Sequence, residues 1–276
     1  MAASFASQKD RLRVVVWNIA SKARAWAALD RLEPDICLLN EAVVPKGRDG
    51  VWSDAGTLGR DGKTRRWSAA VISGSPSKPI TDARPRFRQN IREVPFVASR
   101  PGSWVAASVN TPLGVVTSVA LYGLMDELSD ASVHRSLSEL SPLVDDARYR
   151  SLIVVGGDLN TGTQWSKKDH VLNARDRNVL DRFTSWGLVD CVRAKRAPGR
   201  LEGCLCVEGD DCAHVRTRRD SHWPEVPYQT DYLFASPKLA SALISCEVLA
   251  TDEWFAISDH APIVADFQIK ERPTKK

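Results

Sequence analysis

Ser258-Asp259-His260-Ala261-Pro262-Ile263-Val264-Ala265 sets an aspartate beside a histidine and then runs directly into apolar chain. The apolar residues predict a buried strand. A strand anchored in a core fixes the loop that feeds it, so both polar side chains are held in place. The aspartate offers a hard oxygen to a divalent cation, and the imidazole offers a donor to a phosphate oxygen. Three further segments end in the same way. Val14-Val15-Val16 closes on Trp17-Asn18, Ile36-Cys37-Leu38-Leu39 on Asn40-Glu41, and Leu152-Ile153-Val154-Val155 on Gly156-Gly157-Asp158-Leu159-Asn160. Four β-type runs thus each deliver Asn, Asp or Glu at one end, which points to a divalent-cation site acting on phosphate.

In the order Asn18, Glu41, Asp158 with Asn160, Asp231, then Asp259-His260, these motifs resemble the endonuclease/exonuclease/phosphatase superfamily. That family includes deoxyribonuclease I, abasic-site endonucleases of the exonuclease III type, neutral sphingomyelinases and inositol polyphosphate 5-phosphatases. The resemblance spans residues 13 to 268 and implies a four-layer α/β sandwich, two packed mixed β-sheets flanked by helices. It implies Glu41 as the principal ligand of Mg²⁺ or Mn²⁺, with Asn18 and Asp259 beside it. It also implies that Asp158 orients or deprotonates the attacking water with help from Asn160, and that Asp231 steadies His260. On this reading His260 matters to chemistry more than to stability. Tyr122, which ends Val115–Leu121, matches the tyrosine of abasic endonucleases where deoxyribonuclease I has a histidine. Two positions depart from the pattern: Asn40 stands where the family more often has Gln, and Ala20 where some abasic endonucleases carry Asp.

The chain has 276 residues, 43% of them hydrophobic and 26% charged, with a mean hydropathy of −0.26. Such values describe a soluble globular protein with a sizeable core. No apolar stretch approaches the ~20 residues of a membrane helix, so no membrane partner is expected. Residues 1–12 read as a loose arm and 13–270 as one catalytic domain. Met1–Arg13 lacks the apolar core of a signal peptide, so a cytoplasmic location is expected. A net charge of +4 suits a polyanionic partner without demanding one.

Cys37, Cys191 and Cys246 read as small core residues. Cys204-Leu205-Cys206 followed by Cys212-Ala213-His214 marks a cysteine-rich insertion near 200–222, whose residues are either ligands of a structural zinc or free thiols. His134, His170 and His222 read as structural. Basic residues gather at Arg84, Arg86, Arg88 and Arg92, and again at Arg216, Arg218 and Arg219, near Phe87, Trp223 and Tyr228. Either cluster is a solvated loop or the flank of a phosphate-lined groove. Arg88, Arg216 and Tyr228 are the substrate-binding candidates. Pro45–Thr64 is expected to be a loop, and Val97–Ser99 a strand.

The run Gln229-Thr230-Asp231-Tyr232-Leu233 resembles the nuclease members, so a nuclease acting on DNA or RNA as a monomer leads. A phosphatase or phosphodiesterase acting on a small-molecule or lipid-headgroup phosphate is the alternative. A binding protein built on a dead fold is disfavoured, because the acids are intact.

Overall fold

Val14 and Val16 face one layer of the molecule while Val15 and Trp17 face another, and this alternation organises the whole chain. A computed structural model describes residues 10–59, 61–84, 94–125, 131–164, 170–197 and 199–269. In it, Ile36, Leu38, Val116, Ala120, Val154, Leu233 and Ile263 join Val14 and Val16 in a core between two sheets. The opposite faces of the same strands pack on helices. Val15, Trp17, Cys37 and Leu39 meet Trp26 and Leu29 of helix Ala23–Arg31. Val119, Leu121, Val155 and Phe234 meet Leu137 and Leu140 of helix Ala131–Asp145, and Val179 and Phe183 of helix His170–Ser185. Strands covered on both faces need apolar residues at every position, which is why the central runs are continuous rather than alternating. The result is the expected four-layer sandwich.

Among the described residues, each of the two packed sheets has six strands. One runs in the order Leu243–Val248, Ile263–Gln268, Arg11–Asn18, Ile36–Ala42, Ser68–Ser73, Gly50–Trp52. The other runs Val189–Asp190, Asp231–Ala235, Ile153–Asp158, Gly114–Leu121, Trp104–Thr111, Ser77–Pro79. Each holds one parallel pair, Arg11–Asn18 with Ile36–Ala42 and Gly114–Leu121 with Ile153–Asp158, among antiparallel neighbours. Register then gathers the polar ends: Asn18 lies opposite Asn40, and Asp158 opposite Asp231.

Some local expectations are corrected. Arg11 and Leu12, expected in the arm, belong to the first strand, where Arg11 and Arg13 grip Asp266 at 2.8–3.0 Å. The Pro45–Thr64 loop contains strands Gly50–Trp52 and Thr57–Leu58. Val97–Ser99 is not a strand; the pairing occurs just before it, between Val94–Pro95 and Asp82–Ala83. No described helix is long and apolar enough to cross a membrane.

Gly157 shows how tightly the sheets close around the polar ends. A Cβ built there would lie 1.9 Å from the Leu121 carbonyl oxygen, and its φ of +150° disfavours any other residue. Gly157→Ala should therefore destabilise the fold by at least about 1–3 kcal/mol. Urea unfolding would check this, and a wild-type midpoint would show that the backbone yields there.

Candidate active site

Glu41 sits in the left-handed region at φ +48°, where the pairing of its strand shifts register between Leu39 and Ala42. A non-glycine residue held there is strained, and such strain gathers where side chains must be aimed. The aim is visible: Oε1 accepts from Asn18 Nδ2 at 3.2 Å and from Tyr122 OH at 3.0 Å. Tyr122 follows a strand of the other sheet, so this contact joins the two sheets. Trp67 packs edge-on against the Tyr122 ring at 5.4 Å. Burial, then the Glu41 charge, raises the Tyr122 phenol well above its ordinary pKa, so it remains a donor.

Asn18 Nδ2 also donates to Asp158 Oδ2 at 3.0 Å. Asp158 accepts from the Asn160 amide at 2.9 Å, and its own amide donates to Asn40 Oδ1 at 2.6 Å. Asn160, also left-handed at φ +49°, fixes its side chain on the Gly123 carbonyl at 2.8 Å. His260 Nδ1 lies 2.8 Å from Asp231 Oδ2, and Nε2 lies 3.6 Å from Asp158 Oδ2. All three residues are buried, at 4%, 0% and 1% exposure, so imidazole and carboxylates form one sealed chain. Burial opposes the imidazolium, but the charges of Asp231 and Asp158 prevail and raise His260 to about 10. Burial raises Asp158 to about 6, with the His260 charge opposing. A buried cation between two buried carboxylates would also balance their charge, so His260 has a part in stability beside the part in chemistry expected of it.

Among the described residues, two clusters of His, Cys, Asp or Glu have the donors of a metal site. The atoms of Asp158, Asp231 and His260 lie within 4.8 Å of one another. With His260 protonated the imidazolium has no lone pair for a metal, so the trio suits proton transfer better than metal binding. Glu41 suits a hard cation better. It is half-buried, its hydrogen bonds end on Oε1, and Oε2 accepts none among the described residues. One oxygen is thus held still and the other is open, which fits Mg²⁺ with retained waters. Asn18 Oδ1 accepts from the Ala20 amide at 3.0 Å and keeps a second lone pair. Asp259 is exposed beside His260, with its carbonyl tied to the Arg219 amide at 2.8 Å.

The remaining candidates divide. Cys204, Cys206, Cys212 and His214 come together as a second buried cluster. Arg216 turns its guanidinium to the Pro224 carbonyl. Tyr228 is half-buried and pairs through its backbone with Arg218, which pairs in turn with His260. Arg88 lies outside the described residues, as do Arg86, Phe87 and Arg92. Two supporting residues escaped the sequence reading. Ser258 Oγ donates to the Asn18 carbonyl at 2.8 Å and accepts from the His260 amide at 3.2 Å. Thr217 Oγ1 accepts from the amides of Thr230 and Asp231 at 2.9 and 3.1 Å. Asn40, singled out in the sequence for standing in place of Gln, bridges to Asp158 across the sheets. Only Ser258, adjacent to Asp259-His260, carried a signal that could have been read.

No family model matches the sequence, and neither does any curated protein. Solved structures do match. A 3′-5′ exonuclease (NExo) from Neisseria meningitidis is 19% identical over 93% of this chain and 100% of its own, with a TM-score of 0.62. An AP endonuclease from Archaeoglobus fulgidus is 18% identical over 93% and 99%, with a TM-score of 0.59. An endonuclease/exonuclease/phosphatase from Beutenbergia cavernae is 20% identical over 97% and 74%, with a TM-score of 0.60. The chain has the fold of the endonuclease/exonuclease/phosphatase proteins.

Proposed function

We propose that this chain is a Mg²⁺- or Mn²⁺-dependent phosphodiesterase that hydrolyses nucleic acid, most directly DNA. It would act as a monomer, from one catalytic domain that opens with strand Arg11–Asn18 and has the cysteine-rich segment inserted near 200–222. The observation that carries this reading is the run of polar contacts Tyr122–Glu41–Asn18–Asp158–His260–Asp231, which links strand ends of both sheets. Solved structures of this fold include a 3′-5′ exonuclease, AP endonucleases and a 3′ phosphatase bound to a product DNA hairpin, which supports DNA as substrate.

Glu41 and Asn18, with Asp259 beside them, would hold the cation, which would supply positive charge to offset that of the phosphate. The protein's own groups do the rest. Asn160 and Asp158 orient a water, and its proton passes to the Asp158 carboxylate as its oxygen bonds to phosphorus. Protonated His260, held by Asp231, donates to a phosphate oxygen as negative charge grows there. The bond from phosphorus to the leaving oxygen then breaks, and that oxygen takes its proton from solvent water. Tyr122 keeps Glu41 oriented throughout.

The test is a panel of supercoiled, linear, abasic and single-stranded DNA, RNA, inositol phosphates and sphingomyelin, each with Mg²⁺, Mn²⁺ or EDTA. Cleavage confined to inositol phosphates or sphingomyelin would move the reading to the small-phosphate alternative. Glu41→Gln should keep the fold but need at least ~10-fold more Mg²⁺ for half-maximal rate, since a neutral amide binds Mg²⁺ poorly. Wild-type activity at limiting Mg²⁺ would remove Glu41 as the ligand.

A further inference from the structure

We infer that Cys204, Cys206, Cys212 and His214 hold one structural Zn²⁺, which fixes the segments carrying the active-site loops. Their four ligand atoms lie within 4.8 Å of one another, and the residues are only 3%, 2%, 0% and 6% exposed. Tetrahedral zinc, with bonds of about 2.3 Å to sulfur and about 2.0 Å to nitrogen, sets S···S edges near 3.8 Å and S···N edges near 3.5 Å. Cys204 Sγ and Cys212 Sγ are 3.8 Å apart, and Nδ1 of His214 is 3.5 Å from Cys212 Sγ and 3.8 Å from Cys204 Sγ. These three edges are already the right size, and Cys206 Sγ lies within 4.8 Å of all three atoms.

The imidazole is also oriented for the task. His214 Nε2 lies 2.8 Å from Thr163 Oγ1, and the tautomer that donates this bond leaves the Nδ1 lone pair facing the sulfurs. Zinc-bound histidines are ordinarily held in this way through their other nitrogen. Three thiols lose three protons on binding while His214 binds neutral, so the loaded centre carries one net negative charge. Arg177 and Arg193 line the same cavity as His214, each 3.6 Å from Glu208.

The cluster's position gives the metal a purpose. Thr163 lies three residues beyond Asn160 in the loop that follows Asp158. On the other side, the chain leaves His214 through Val215, whose amide donates to Gln229 Oε1 at 3.0 Å, and reaches Thr217, which clamps Asp231. One ion thus braces both segments that support the Asp158–His260–Asp231 chain.

The full chain, expressed in zinc-supplemented medium and purified under reducing conditions without chelator, should carry one zinc by elemental analysis. Cobalt substituted for zinc should show the visible bands and thiolate-to-metal charge transfer of a tetrahedral, sulfur-rich centre. Cys206→Ser and Cys212→Ser should lose most of the metal, while Cys246→Ser keeps it. Thr163→Val leaves all four ligands in place and should weaken zinc binding by ~10–100-fold. Chelator should lower the melting temperature of the wild-type chain. Free thiols with no zinc, a Cys204–Cys212 disulfide in the reduced preparation, or full zinc in Cys212→Ser would each overturn the inference. None of these readouts uses catalysis, so the zinc stands or falls apart from the proposed hydrolysis.

Discussion

Asp158→Asn should slow single-turnover DNA hydrolysis by ~10²–10⁴-fold, the range associated with loss of a general base. The amide is isosteric, so it preserves the packing at the end of strand Ile153–Asp158. It cannot preserve every contact. Asp158 accepts from the Asn160 amide and from Asn18 Nδ2 and faces His260 Nε2, and an amide offers only one oxygen to those donors. The pH profile separates lost chemistry from lost packing. Burial raises Asp158 to about 6, and the neighbouring carboxylates raise His260 to about 10. The ionised base and the protonated donor therefore coexist between those values. Wild-type rate should climb as pH rises through about 6, hold level, and fall as pH rises through about 10. A bound cation adds positive charge near Asp158 and moves the acidic limb lower, not higher. Asp158→Asn should lose the acidic limb and keep the alkaline one. A variant within tenfold of wild type, or an acidic limb that survives the substitution, would take the base role away from Asp158.

Much of this arrangement is legible in the sequence because continuous apolar strands announce themselves. Val14–Val16, Ile36–Leu39, Leu152–Val155 and Ile263–Ala265 could only be buried, so the polar residue at each end had to lie at a sheet rim. Register alone then brings Asp158 opposite Asp231. The turn that aims Glu41 was not legible, since its φ of +48° depends on a register shift that no local residue marks. Thr217 was hidden for a different reason. It lies in a polar, irregular stretch, and its hydroxyl gains meaning only when Thr230 and Asp231 fold against it. Ser77–Pro79 and Val189–Asp190 were missed because two or three residues, one of them proline, carry no periodic signal. The cysteine cluster was legible as residue types but not as geometry, because Cys-x-Cys and Cys-x-His spacings are tighter than the common finger patterns.

His260→Ala should cost about 3–5 kcal/mol of stability near neutral pH, in addition to a loss of ~10²–10³ in rate. The reason is the company His260 keeps. Asp158 and Asp231 are 1% and 0% exposed, and the imidazole lies between them at 3.6 and 2.8 Å. Truncation leaves two buried carboxylates without their cation, a far larger penalty than the loss of one surface ion pair. The pH dependence carries a definite sign. The folded value of His260, about 10, lies above its ordinary 6.5, so its contribution is complete below about 6.5 and disappears as pH rises through about 10. Toward acid, protonation of the carboxylates removes the charge that needed balancing. The deficit of His260→Ala should therefore peak near neutrality and shrink in both directions. Adding Asp231→Asn to His260→Ala removes one of the stranded charges, so the double variant should be more stable than His260→Ala alone. Its rate should fall by less than the product of the two single losses, because the pair acts on one step. Urea melts across the pH range, run beside single-turnover assays on the three variants, make the comparison. A His260→Ala chain within about 1 kcal/mol of wild type at neutral pH would mean that the carboxylates are balanced by something other than the imidazolium. Rate losses that multiply fully would mean that Asp231 and His260 act separately.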